Sequence, residues 1–547
     1  MNSRQNKDRR PRRFSIDGVS PRPVRTGGSI GFDGRRPRRP AVSGKRLDDF
    51  RKPEGFDSTT VRNSPIGFPA RQHFAAEDKP RGLFGRFKKR GRSKRLDSYE
   101  KKARRKKKLK IAGIVFLILL AIFAFLVAKG YINLRKVFGG GGSAAALEQN
   151  VDPSKLNVEG DGRVNILLLG RGGLGHDGAD LTDTIILVSI DPIAREAGMV
   201  SVPRDLYVSV PDIGSMKINS VFYTGKTRAL NATTKRDDDT KREAETAGMN
   251  LVDRTIEEIL GIPVHYHAMV DFSGFKQAID TVGGIDVNVP KRVRETMWID
   301  RRNYVLDVRP GMQHMGGFEA LAYARSRHTA QRGDFDRAER QRLIILALKD
   351  KILSLGTFSN PAKLSTLIDQ FGNHVQSNFS TGDVNKLYSL AQRIESSKVK
   401  SIGLADPPND FVKTAYIGGL SVVIPSAGLD NYSEIHYYIR NTLKDSFLKM
   451  ENAGVMVLNG TDRSGLAKDK AQLLKSYGYR VVKAGNAPTR NYAKTVIIDL
   501  KHGDKKYTRH YLEKRFKVLS TNNLGDASIN TAGADFVIIL GNDISSG

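Results

Sequence analysis

Six arginines fall within the twenty residues "YARSRHTAQRGDFDRAERQR", Tyr323 to Arg342, interleaved with Asp334, Asp336 and Glu339. A guanidinium is a planar fork that binds phosphate or carboxylate bidentately, so several converging on one point suit a phosphate or pyrophosphate. The same composition also fits an internal Arg/Asp network or a solvated face. From Asp334 onward, "DFDRAERQRLIILALKDKILSL" has a helical period that places Asp334, Arg337, Gln341, Ile344, Ile345, Leu348 and Ile352 on one stripe. An unpaired buried guanidinium is costly, so an inward Arg337 implies a partner or an anionic ligand. Asp336, Glu339, Arg340 and Arg342 fall off the stripe and read as a solvated face. Arg325 and Arg327 stand two residues apart, which in an extended segment points both to one side.

A second polar cluster precedes the first. "SVPRDLYVSV" places Arg204 and Asp205 at a strand break, and "MKINSVFYTG" adds Lys217, Asn219 and Tyr223 after a short turn. Asp183 heads the apolar run "LTDTIILVSI", where a bare carboxylate is unfavourable. A hard cation such as Mg²⁺, bound through one or two carboxylates and completed by phosphate oxygens, would satisfy it.

"LLLGRGGLG" spells G-x-G-x-x-G at Gly170, Gly172 and Gly175, with Asp191 about twenty residues on. A dinucleotide site needs a crossover helix there, and residues 171–182 are too short and too glycine-rich to form one. A loop that offers backbone N–H groups to a phosphate remains compatible. The chain has no cysteine, which removes thiol nucleophiles and thiolate metal sites. His265 and His267 in "HYH" read as strand packing rather than a metal site, since a nearby acidic partner is not expected for either.

The elements that must position these residues follow from periodicity. The 547 residues allow two or three domains. Residues 1–110 hold 35 Lys and Arg against 11 Asp and Glu, so +24 of the net +32 lies in this Arg-, Pro-, Gly- and Ser-rich segment, which reads as a disordered tail. "IAGIVFLILLAIFAFLVA", residues 111–128, carries no charge and follows "KKARRKKKLK". That is a single-pass transmembrane helix over 111–131, with 1–110 cytoplasmic and the remainder extracytoplasmic by the positive-inside rule. An arginine cluster on the outer side has no genome to meet, so nucleic acid is not expected as a partner of the exported part. "GGGGS" at 139–143 reads as a flexible spacer within a linker, 132–159. Residues 160–445 alternate strand-like runs with helical patterns, and 452–542 form a second, shorter β/α alternation.

Residues 160–445 resemble the LytR–CpsA–Psr family of membrane-anchored cell-wall enzymes, and 452–542 resemble the LytR C-terminal domain. The resemblance is carried, in order, by "NILLLG", "LTDTIILVSIDP", "VSVPRDLYV", "KINSVFYTG", "VDFSGFKQAIDTVGGIDVNV", "GMQHMGGFEALAYARSRH" and "GDFDRAERQR". It implies an α/β domain with a central mixed sheet flanked by helices, a long apolar pocket for a polyprenyl chain, and a small α/β domain after it. It further implies a phosphotransferase that moves a phosphoglycan from a polyprenyl-pyrophosphate carrier to a peptidoglycan sugar hydroxyl, assisted by Mg²⁺ or Mn²⁺. Carried over by motif, Arg204, Arg325, Arg327, Arg337 and Gln341 clamp the pyrophosphate, Asp334 orients the arginines and Asp183 binds the metal. Asp205, Lys217, Asn219 and Arg340 join as substrate-binding residues.

Two positions depart from the family pattern. Arg171 stands where an Asp usually follows the strand glycine, and Leu181 where an Arg usually precedes the second Asp. Asp180 or Asp177 is the expected substitute for the carboxylate and Arg171 for the guanidinium. The alternatives are a non-catalytic receptor for anionic lipid or glycan, and a membrane regulatory protein acting through its basic tail.

Overall fold

Apolar, β-branched runs build the centre of the chain: β1 (Val164–Arg171), β2 (Thr182–Asp191) and β3 (Glu196–Ser201) are consecutive antiparallel neighbours. The structure is a computed structural model describing residues 137–300, 302–327, 334–354, 374–406, 409–525 and 527–544. The expected tail and membrane helix lie outside the described residues, and among those described no helix is long and apolar enough to cross a membrane. Two short hairpin strands follow, β4 (Tyr207–Val210) and β5 (Gly214–Lys217), then β6 (Tyr266–Asp271), β7 (Ile285–Val289), β8 (Val293–Ile299), β9 (Arg302–Val308), β10 (Gly311–Met315), β11 (Val375–Ser377) and β12 (Val399–Gly403).

The main sheet runs β11-β6-β1-β2-β3-β12. β6 is parallel to β1 and β12 to β3, while the other neighbours are antiparallel, so the sheet is mixed. The β1–β2 pair is a hairpin, which disposes of a dinucleotide crossover at the glycine loop. Register then decides where chemistry collects. Arg171 lies opposite Thr182 on one side and Asp271 on the other, while Ser201 lies opposite Ile186 and Gly403. One end of the sheet therefore gathers the last residues of β1, β3, β6 and β12 and the first of β2, the place where open α/β sheets bind ligands.

Helices Val221–Asn231 and Asp238–Leu260 cover one face through Val221, Phe222, Met249, Val252, Ile256 and Ile259, against Leu167, Leu169, Ile185 and Leu187. Asp237 caps the longer helix by accepting from Thr240 N (2.7 Å), and Gly261, at φ +69°, ends it. The two helices cross closely at Gly225 and Gly248. A methyl on Gly248 would stand 2.7 Å from the carbonyl oxygen of Phe222 and 2.9 Å from its ring. Gly248→Ala is thus expected to destabilise by about 1–3 kcal/mol despite the better helix propensity of alanine, visible as a lower urea midpoint at unchanged slope.

On the opposite face, Tyr266, Val164, Ile166 and Ile190 pack with Leu390 and Ile394 around helix Thr381–Ala391, and Ala144 and Ala146 join them. The glycine run is not a free spacer. Its N–H groups donate along β11 and beyond, Gly139 to Ser377 O (2.8 Å), Gly140 to Phe379 O (3.2 Å) and Gly142 to Asn378 O (2.9 Å). Glycines serve here because a side chain at 142 would strike the Tyr266 ring, 2.5 Å away. A third core, under the antiparallel β7–β10 pair and the β8–β9 hairpin, is shared by helices Phe272–Thr281, Gly317–Arg325 and Asp334–Ser354.

After hairpin β13 (Val412–Ile417) and β14 (Leu420–Pro425), and helices Ser433–Thr442 and Ser446–Glu451, a second sheet forms from β15 (Gly454–Asn459), β16 (Arg480–Asn486), β17 (Val496–Asp499) and β18 (Phe536–Leu540). Its order is β16-β15-β18-β17, with helices Leu466–Ser476 and Lys506–Phe516. The core of this sheet also takes in Val151 and Leu156, from ahead of β1, and Phe447 and Leu448. Residues before and after the first sheet are thereby built into the second.

Candidate functional site

At the gathered sheet end, a small cleft is lined by Asp183, Arg204, Arg337, Gln341, Arg342 and Asp406, with Ile185, Val202, Phe335 and Leu404 as its apolar wall. Asp183 is at its centre. Arg204 Nη1 donates to Asp183 Oδ1 (2.7 Å), and Arg337 Nη2 donates to the Asp183 carbonyl (3.1 Å). Arg342 donates to Ser201 Oγ and to Asp406 Oδ2, both at 2.8 Å. Asp205 extends the row, 3.6 Å from Arg204 Nε and accepting from Lys217 Nζ at 2.7 Å. Asn219 acts through its backbone: its N–H donates to Arg204 O (3.2 Å) and its carbonyl accepts from Thr182 Oγ1 (3.3 Å), which ties the start of β2 to the Arg204 turn.

Beside this row lies a network that sequence reasoning found only by half. Arg171 Nη1 donates to Asp180 Oδ1 (2.9 Å) and to Glu245 Oε1 (3.3 Å), and Lys226 Nζ donates to Asp180 Oδ2 (2.9 Å) and to the same Glu245 oxygen (3.3 Å). Gln376 donates to the other Glu245 oxygen, and Arg171 and Lys226 both lie over the Phe222 ring, at 5.5 and 5.8 Å. Lys226 and Glu245 went unnoticed because each sits in an amphipathic helix whose pattern reads as packing. The available signal was the neighbouring glycines Gly225 and Gly248, which bring the two helices together. Glu245→Ala removes the acceptor of three donors at once and is expected to cost about 2–3 kcal/mol of stability, measured by urea unfolding.

Arg325 occupies a third position. Far from standing in an extended segment with Arg327, it ends helix Gly317–Arg325, whose Gly316 cap and Glu319 in the first turn favour helix through to Ser326. Its guanidinium stacks 4.8 Å over Phe272, and among the described residues it has no ion-pair partner. Burial pushes its pKa down, opposed by Asp183 and Asp300. His176, from the glycine loop, meets the same ring edge-on at 5.1 Å; burial and then the Arg325 charge lower its pKa and favour neutral imidazole.

The expected solvated face of helix Asp334–Ser354 is also corrected. Arg340 and Arg342 are as buried as Arg337, at 7, 3 and 6 % exposure. The helix is enclosed on two sides, by β12 and by β7 with helix Gly317–Arg325, so a single-stripe reading underestimates its burial. Arg340 donates to the Ser326 carbonyl and lies 6.0 Å from the Tyr323 ring, while the Arg327 N–H donates to Glu295 Oε2 (2.9 Å). These two do not line the cleft. The backbone of Asp334 opens the helix, and its side chain lies outside the described residues. His265 and His267 do have acidic partners, Asp161 (3.2 Å) and Asp253 (2.6 Å), which come from distant parts of the chain.

The carboxylates differ in what they can still bind. Both oxygens of Asp180 are engaged by cations, whereas Asp183 keeps Oδ2 without a hydrogen bond among the described residues. Among those residues no group of three or more His, Cys, Asp or Glu could enclose a metal. Asp183 Oδ2 is an oxygen donor of the kind Mg²⁺ takes together with phosphate oxygens and water.

Comparisons with known proteins show what the chain is similar to. The family model described as "LytR_cpsA_psr family" matches residues 138–426, and that of the LytR cell envelope-related transcriptional attenuator matches 452–543. The chain is 29 % identical over 343 residues to the cell wall biosynthesis protein LcpA of Corynebacterium glutamicum, covering 59 % of this chain and 63 % of that one. It is 32 % identical over 226 residues to the polyisoprenyl-teichoic acid–peptidoglycan teichoic acid transferase TagV of Bacillus subtilis, covering 41 and 51 %. With the transferase of the same description, TagU, of Oceanobacillus iheyensis, it shares 32 % over 306 residues, covering 54 and 83 %. The chain thus spans less than two thirds of the length of the first two relatives.

Proposed function

The chain belongs to the LytR_cpsA_psr family, and on that premise we propose that it is a membrane-anchored phosphotransferase that moves a phosphoglycan from a polyprenyl-pyrophosphate carrier to a peptidoglycan sugar hydroxyl. The observation that carries this reading is the convergence of Arg204 and Arg337 on Asp183 at an open, partly apolar cleft. Relatives described as teichoic acid transferases support the donor and acceptor classes. The uncharged run 111–128 behind ten mostly basic residues supports the anchor, with the described residues on the outer side.

In the reaction the acceptor hydroxyl oxygen bonds to the sugar-proximal phosphorus and its proton passes to water, the bond from that phosphorus to the bridging oxygen breaks, and polyprenyl phosphate leaves with the electron pair. Negative charge grows on the leaving phosphate, so guanidiniums fixed beforehand stabilise the transition state without reorganising. Arg204 and Arg337 are fixed by Asp183, and Arg342 by Ser201 and Asp406. Gln341 offers an amide to a phosphate oxygen from the same helix face. Arg325, stacked on Phe272, brings a further positive charge toward Asp183. Asp205 is held by Lys217 beside Arg204. Asp183 would hold Mg²⁺, which when bound supplies further charge neutralisation at the phosphates. Asp180 is committed to Arg171 and Lys226, so its contribution is to hold those two cations.

The test is release of polyprenyl phosphate from a polyprenyl-pyrophosphate-linked sugar by the full chain in detergent, with and without Mg²⁺, for wild type and Arg204→Ala. Mg²⁺-dependent release that collapses in the variant is expected. Tight binding of the lipid with no cleavage under any acceptor would make the protein a receptor instead.

A further inference from the structure

The single tryptophan of the chain is not in a core. Trp298 lies on β8 and is 63 % exposed. Strand alternation puts Arg294, Thr296 and Trp298 on the outward face, and register sets Asp307, Val305 and Asn303 opposite them on β9. All six side chains point away from the core. Over Arg294 to Trp298 this face runs roughly 13 Å. It combines one large aromatic surface with an amide, a hydroxyl, a cation and a carboxylate. Asp307 is held in place by Arg292 through two hydrogen bonds of 2.8 and 2.7 Å, and among the described residues Arg294 has no ion-pair partner.

The inward face of the same hairpin is anchored to the arginine-bearing segment. Glu295, 8 % exposed, accepts from Ser326 Oγ (2.6 Å) and from Arg327 N (2.9 Å), the two residues that follow Arg325. Tyr304 packs edge-on to Phe318 at 4.9 Å, and Arg302 lies 4.4 Å over the same ring. At the tip, Asp300 takes Lys276 at 2.5 Å, and its charge is felt by both Arg325 and His176. The hairpin is therefore anchored beside Arg325 through Glu295 and Asp300, with its aromatic face turned outward.

We infer that the outward face of the β8–β9 hairpin binds the acceptor glycan, with a pyranose ring stacked on Trp298 and its hydroxyls hydrogen-bonded by Asn303 and Thr296. The apolar C–H face of a sugar matches an indole, and its hydroxyl rim matches amide and hydroxyl partners. A lipid surface is the competing occupant of an exposed tryptophan. The neighbouring Asn303, Thr296, Arg294 and Asp307 do not form the apolar footprint that insertion among lipid tails requires. This inference rests on the transfer reading above for the identity of the glycan as acceptor.

Because the chain has one tryptophan, its fluorescence reports this face alone. Soluble, peptide-free peptidoglycan strands titrated into the full chain in detergent are expected to give a saturable emission change. In transfer assays Trp298→Ala is expected to raise the KM for the strands about tenfold, with Trp298→Tyr close to wild type and donor cleavage in the absence of acceptor unchanged. An emission unmoved by glycan, or wild-type acceptor KM in Trp298→Ala, overturns the assignment. So does strong quenching of Trp298 by nitroxide-labelled phosphatidylcholine when the full chain is reconstituted in phosphatidylglycerol vesicles, which would place this face on the membrane. The titration needs no turnover, so it decides the subsite even if the donor is never cleaved; failure of donor cleavage counts only against the transferase reading.

Discussion

Arg337→Ala is expected to lower donor turnover by about 10²–10³-fold, the usual loss when one preorganised donor to developing charge is removed. Arg337 is 6 % exposed, comes from the first turn of helix Asp334–Ser354 and reaches the carbonyl of Asp183, the residue that also holds Arg204. Its loss removes a positive charge at the leaving phosphate and frees the start of β2 from one of its restraints. Arg337→Lys separates the two effects. Lysine keeps a charge but not the fork, so it should recover only part of the turnover. Stopped-flow release of polyprenyl phosphate gives the chemical step, and a lipid-binding titration shows that the donor still docks.

Asp445→Ala is expected to cost about 3–5 kcal/mol of stability, the largest structural effect in the molecule. This carboxylate is 3 % exposed and accepts from Gly160 N (2.9 Å), Gly162 N (2.8 Å), Phe447 N (2.9 Å), Leu448 N (3.1 Å) and Tyr511 Oη (3.0 Å). Alanine strands buried donors from three separate segments, each left without the water it had in the unfolded chain. Nearby, Glu159 accepts from Arg515 at 2.7 and 2.6 Å and from Tyr479 at 2.7 Å, and Arg440 and Arg515 lie over the Tyr477 ring at 3.9 and 3.6 Å. Asp445 thus joins the entry to β1, helix Ser446–Glu451 and helix Lys506–Phe516. A urea melt of the variant should show a large fall in midpoint, and a broadened or biphasic transition would reveal that the two sheets no longer unfold together.

What the sequence revealed depended on how local the physics was. β1, β2, β3 and β6 were legible because each is a short apolar run between turn signals, and the helix over Asp334–Ser354 because its period is clear. Asp183 and Arg337 were legible as residues whose burial demands a partner, and Arg204 as part of a polar cluster at a strand break. The partners themselves were not, since Asp183 meets Arg337 across 154 positions. Arg340 and Arg342 were misread because a one-stripe pattern does not show that a second layer covers the other side. The glycine run was misread as a spacer because β11 and Tyr266, which it packs on, lie more than a hundred residues away. Lys226 and Glu245 were missed because an ion pair between helices is marked in the sequence only by the glycines, Gly225 and Gly248, where the helices cross.

The most direct measurement is transfer itself: the full chain, a polyprenyl-pyrophosphate donor with labelled glycan, and peptidoglycan strands, followed by isolation of the labelled strands. Label joined to a sugar hydroxyl through a phosphodiester is expected, with polyprenyl phosphate released in equal amount and both lost together in Arg204→Ala. Labelled glycan retained on the lipid under all these conditions, while the protein holds donor and strands alike, would contradict it.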